Sequence, residues 1–145
     1  MTHTHCNESK TAEPLWQLRS VRGATSIEAD TPEAIREATQ TLLHALVNDN
    51  HITPDAVCAV FFTLTEDIHA LAPARVAREC LPWHDVALFM AQEPHIDGLP
   101  HQLIRVLIQF ETPLARHELT HCYHGRATVL RPDRIDAVET TTHEA

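Results

Sequence analysis

Residues 15–21 (Leu-Trp-Gln-Leu-Arg-Ser-Val) alternate apolar and polar, which predicts a first strand. Gly23 reads as its break, with Arg22 left at the strand end. Asp30 or Thr31 then offers an N-cap, Pro32 a first-turn residue and Glu33 a charge that suits a helix N-terminus. Ile35, Ala38, Leu42, Ala45 and Leu46 recur at helical spacing, so a helix is expected to about Asn50. Residues 57–64 are almost unbroken in apolar character, the pattern of a strand buried on both faces, with Cys58 as a buried small residue. Residues 71–80 predict a second, shorter helix with Arg75 and Arg78 on one side. A third strand is expected over 86–91, ending at Gln92-Glu93-Pro94, where the proline stops it. A fourth covers 101–110, with Ile104, Val106, Ile108 and Phe110 on one face and Leu103, Arg105, Leu107 and Gln109 on the other. A helical turn over 113–118 leads to Tyr123, and 127–130 reads as a last short strand before Arg131. The order β-α-β-α-β-β predicts an α/β domain (α+β, with a mixed sheet) and a ligand site at strand ends.

The chain has 145 residues, which suits one domain with a real core. Residues 1–15 and 133–145 are polar and aperiodic and read as disordered tails; 16–132 reads as the domain. The net charge of −9 opposes broad nucleic-acid binding. No apolar run approaches the roughly 20 residues of a membrane span, and the N-terminus carries no signal-peptide core. Cys6, Cys58, Cys80 and Cys122 have no Cys-x-x-Cys pairing, which points to a reducing, cytoplasmic setting.

Charge intrudes where folding alone would not want it. Arg22 and Glu93 end apolar stretches, and Arg105 lies inside one. Such charges are costly unless paired or useful, and two arginines with one carboxylate at strand ends predict a pocket for a small anion. Each residue alone has a plainer reading. Arg105 also fits a strand-face arginine paired with a carboxylate, Glu93 an exposed strand-end charge, Tyr123 a packing residue, and Arg75 with Arg78 a solvated helix face. Twelve histidines invite a metal, and His121, Cys122 and His124 lie close together. No second cluster stands at zinc-finger spacing and no His-Glu-x-x-His occurs, so no metal is expected beyond adventitious capture at His3, His5 and Cys6.

Five segments in order carry a family resemblance: V-R-G-A-T-S-I-E-A-D-T (21–31), H-A-L-A-P-A-R-V-A-R-E (69–79), A-Q-E (91–93), I-R-V (104–106) and Y-H-G-R-A-T-V-L-R-P-D (123–133). Together they resemble the monofunctional AroH-class chorismate mutases from about Leu18 to Asp133. The resemblance implies a homotrimeric pseudo-α/β-barrel with active sites between subunits. It implies conversion of chorismate to prephenate without metal or cofactor, on the route to phenylalanine and tyrosine. By motif, Arg22, Glu93 and Arg105 fall on the catalytic positions, and Tyr123 joins them in binding substrate. Phe89 and Met90 fall on pocket-lining positions, Arg75 and Arg78 on basic positions of the short helix, and Arg131 near the pocket mouth. Two departures stand out: Ala72 where the family usually has an aromatic residue, and Met90 for a smaller one. The alternatives are a non-catalytic trimer that binds a small dicarboxylate, and a metal-assisted hydrolase built on the histidines.

Overall fold

The computed structural model describes residues 12–132. His3, His5, Cys6 and most of both expected tails lie outside the described residues.

Strand β1 (Gln17–Ser26) leads to helix α1 (Pro32–Asp49), strand β2 (Val57–Leu64), helix α2 (Pro73–Cys80), strand β3 (Ala87–Gln92), strand β4 (Leu103–Thr112) and the two-residue strand β5 (Cys122–Tyr123). The sheet order is β3-β2-β4-β1-β5. β4 is antiparallel to both β1 and β2, while the outer pairs β2–β3 and β1–β5 are parallel. The mixed sheet and the order of long elements match the expectation.

Both helices pack on one face of this sheet. Ile35, Leu42, Leu43 and Leu46 of α1 bury against Val21, Val60, Phe62, Val106 and Ile108. Thr31 caps α1, its side chain accepting from the Ala34 N–H at 3.2 Å. Asn50, fully buried at the other end, donates to the carbonyls of Leu46 (2.9 Å) and Thr120 (2.8 Å) and accepts from the Thr120 N–H (2.8 Å). It thereby fixes the approach to β5.

Four local expectations change. β1 does not break at Gly23 but runs on to Ser26, which leaves Arg22 mid-strand. Gly23 is there for packing: a Cβ would sit 2.6 Å from Leu46 Cδ1 and 3.0 Å from Leu42 Cδ1. β2 is covered on its helix face only; Phe61 on the other face is exposed. Cys58 is exposed because it is the extra residue of a bulge between Val57 and Ala59. Finally, 127–130 belongs to a 3-10 segment, Gly125–Leu130, and the last strand lies earlier, at β5.

Asp30 ties the two helical connections together. Its carboxylate accepts the backbone N–H of His69 (3.0 Å) and of Ala70 (3.0 Å). The Ala70 and then the His69 hydrogen bonds hold its carboxyl below the usual aspartate range. A depressed folded value contributes stability above the unfolded value, and that contribution is lost as pH falls through the folded one. Asp30→Ala is therefore expected to cost about 1–2 kcal/mol at neutral pH. The gap from the parent protein should shrink progressively below about pH 4. Urea titrations across that range check this; a gap that stays constant into acid would contradict it.

Candidate active site

The sheet face away from the helices carries two cross-strand rows. Phe89, Phe61, Leu107 and Arg22 lie abreast in one, and Ala91, Thr63, Arg105, Ala24 and Tyr123 in the next. Strand alternation alone sorts them: each of these residues is an even number of positions from its same-face partners. Arg105 lies on the less apolar face of β4, as its sequence position predicts. Its two cross-strand neighbours, Thr63 and Ala24, are small and leave space above the sheet for a guanidinium.

Glu93 follows β3 directly, and its N–H donates to the Leu64 carbonyl at 2.7 Å, extending the ladder by one rung. The Thr63 hydroxyl donates to Glu93 Oε1. Arg105 Nε stands 2.8 Å from the same oxygen. That nitrogen is buried without an aligned acceptor, so the contact is a close ion pair rather than a directional hydrogen bond. The Glu93 side chain is only 13% exposed, a burial that an unpaired carboxylate would resist and the adjacent guanidinium offsets.

An open cavity of about 290 Å³ lies over these rows, lined by Arg22, Phe61, Thr63, Arg105, Tyr123, Leu130 and Arg131, among others. Tyr123 packs beside Ala24, Leu103 and Ala127. The turn that follows it is pinned to β1. Gly125 takes a positive φ of 57°, and a Cβ there would meet Ser26 Oγ at 2.3 Å. The Arg126 N–H donates to Ser26 Oγ at 2.9 Å, and its guanidinium reaches Glu28 (2.7 Å) and the Ile27 carbonyl (2.8 Å). This anchoring carries Leu130 and Arg131 to the cavity.

Five of the sequence-derived site residues do not line this cavity: Glu93 lines a neighbouring hollow that shares Arg105, and Phe89, Met90, Arg75 and Arg78 line neither. Met90 shares its row with Phe62, Val106 and Gly23 on the helix face, since neighbours in a strand point to opposite sides. It lines a separate hollow with His69 and Gln92. Arg75 and Arg78 lie exposed on α2, where Arg75 pairs with Glu79 at 2.8 Å. Phe89 is on the cavity side, edge-to-face with Phe61 at 6.4 Å between centroids. Among the described residues no group of three or more His, Cys, Asp or Glu side chains is arranged to hold a metal ion. Cys122 is buried with its thiol toward Asp49 Oδ2 at 3.8 Å, and His121 Nδ1 accepts from the Arg22 N–H. Among the described residues no helix is long and apolar enough to cross a membrane.

Sequence reasoning did not select Thr63. It looks like one more residue of an apolar strand, and only its register against Arg105 gives it a role.

Comparison with known proteins decides the family. The family described as chorismate mutase type I matches residues 18–134. The chain belongs to it. The AroH chorismate mutase of Bacillus subtilis (strain 168) is 35% identical over 116 residues, 80% of this chain and 91% of that protein. The AroH chorismate mutase of Thermus thermophilus is 39% identical over 117 residues, 80% of this chain and 95% of its own length. A chorismate mutase structure from Clostridium thermocellum superposes with a TM-score of 0.72 at 31% identity, covering 77% of this chain and 98% of that one. The type I chorismate mutase fold thus extends over the whole described domain except its first few residues, and the expected family stands.

Proposed function

We propose that this chain isomerises chorismate to prephenate, an intramolecular rearrangement in aromatic amino acid biosynthesis, and does so in the cytoplasm. The observation that carries this reading is the cavity with Arg22 and Arg105 on one sheet face and Glu93 held against Arg105, in a chain of this family. The reaction breaks one C–O bond as one C–C bond forms. It needs no nucleophile and no proton transfer, so it asks for no metal and no cofactor. The protein must hold the folded, diaxial substrate conformer and stabilise negative charge growing on the ether oxygen.

Arg105 is the donor to that oxygen, offering a planar fork of N–H groups. Arg22 binds a carboxylate and lies one pleat repeat along the face. Glu93 accepts from the substrate hydroxyl while holding Arg105 in place, and Tyr123 donates to a carboxylate. Arg131 draws the dianion toward the cavity mouth in an otherwise acidic protein. Arg22, Arg105 and Arg131 with Glu93 leave two net positive charges, the complement of a dicarboxylate.

The working form is a homotrimer whose sites lie between subunits. Phe61 and Phe89 are large apolar residues exposed on the uncovered sheet face, as a subunit interface requires. Met90, Arg75 and Arg78 lie away from the cavity of their own chain and reach a substrate only from a neighbouring copy. A non-catalytic dicarboxylate-binding trimer is not favoured, since the matched relatives are named as mutases. Loss of chorismate ultraviolet absorbance, measured with and without chelator, tests the activity, and sedimentation tests the assembly. Chelator-resistant turnover by a trimer is the expected result. A folded protein without turnover would overturn the activity, and a monomer at working concentration would overturn the shared cleft.

A further inference from the structure

We infer that His121 is a positioning residue for Arg22, working through the main chain. Residues two apart in a strand direct their backbone groups to the same neighbour. In β1 the Ala24 carbonyl accepts from the His124 N–H at 2.9 Å on the β5 side, so the Arg22 N–H points to that side as well. β5 is too short to meet it: the pairing covers only Gly23 with Cys122 and Ala24 with Tyr123. The His121 ring fills the gap, its Nδ1 accepting from the Arg22 N–H at 2.9 Å. An imidazole stands where the next backbone carbonyl of a longer strand would be.

The ring is itself held on both sides. Thr120 is clamped by the two hydrogen bonds to buried Asn50, and Cys122 is in the β1 ladder. A rigid path therefore runs from the end of α1 through Thr120 and His121 to the backbone of Arg22. The Arg22 side chain is exposed and long, so its aim depends on how firmly its backbone is set. Misplacement of a positioning group by about 1 Å costs up to a hundredfold in rate. The acceptor role also fixes the tautomer, with the ring proton on Nε2.

This inference rests on the proposed role of Arg22, and the test separates the two. His121→Phe keeps a ring and removes the acceptor; His121→Asn restores an oxygen near the Nδ1 position. For His121→Phe the expected loss in kcat/KM is on the order of 10–100-fold, carried mainly by KM, with Arg22 amide hydrogen exchange accelerated. His121→Asn should recover most of both. In an Arg22→Ala background, His121→Phe should cost little more, because the residue it serves is gone. Unchanged kinetics in His121→Phe, or an equal further loss in the Arg22→Ala background, would overturn the inference while leaving Arg22 at the substrate. An Arg22→Ala variant as active as the parent would overturn the role of Arg22 and the inference with it. If His121→Phe does not fold, His121→Asn with wild-type exchange and kinetics beside a slowed His121→Ala carries the same decision; equal His121→Asn and His121→Ala would overturn it.

Discussion

Arg105→Ala is expected to lower kcat by about a hundred- to a thousandfold with the fold intact. A million-fold acceleration lowers the barrier by about 8 kcal/mol. A single preorganised donor on developing negative charge supplies about 3–4 kcal/mol of such a difference. The surroundings of Arg105 suit that role. It stands on a central strand with small neighbours on both sides, and a carboxylate 2.8 Å from Nε holds the fork without occupying its far end. Arg105→Lys should recover little, because a point charge on a flexible stem does not reproduce a planar fork. Removing the arginine also leaves Glu93 partly buried without its cation, which turns the local charge against a dianion. Single-turnover rates for both variants, beside circular dichroism and Tm, check this. Near-parental kcat in Arg105→Lys would rule out the fork geometry.

Trp83→Ala should be the most damaging substitution for stability. The side chain is 1% exposed in the main core, between α2 and β3. Truncating a buried tryptophan typically costs about 3–5 kcal/mol. Tm is expected to fall by on the order of 10–20 °C. Trp16, the other tryptophan, is 58% exposed, so the fluorescence red shift on unfolding belongs to Trp83 and its loss should be visible directly. Urea titration followed by circular dichroism gives the energy; a loss under about 1 kcal/mol would mean that the core closes over the gap.

The long elements were legible in the sequence because each has a strong period and clear ends. Thr31, Pro32 and the apolar stripe set α1 to within a residue, and the alternation of 101–110 gave the two faces of β4 correctly. What failed depends on neighbours far along the chain. Gly23 looks like a break until Leu42 and Leu46 are packed over it. Cys58 looks buried until the bulge turns it out. β5 is two residues long and exists only because β1 offers it a ladder. The arginines and Glu93 were legible as misplaced charges that could share a pocket, but the route by which they meet was not: Arg105 meets Glu93 through the pairing of β2 with both β3 and β4. Thr63 gave no local signal and His121 only the misleading one of a His-Cys-His cluster, since their partners lie 30 and 99 residues away.

β1 and β2 share β4 as their common neighbour and do not pair with each other. A chain emerging from the ribosome therefore makes β1, α1, β2, α2 and β3 before it makes the strand that joins β1 to the β2–β3 pair. The first hundred residues can form helices and one parallel strand pair, yet no continuous sheet. Closure waits for Leu103–Thr112 and then brings together residues from 77 (Ser26 with Leu103) to 95 (Gln17 with Thr112) positions apart. Such non-local pairing sets a slow, late folding step. Until it occurs, the apolar edges of β1 and β2 are open to other chains, so nascent protein is most exposed to aggregation when synthesis is two-thirds complete.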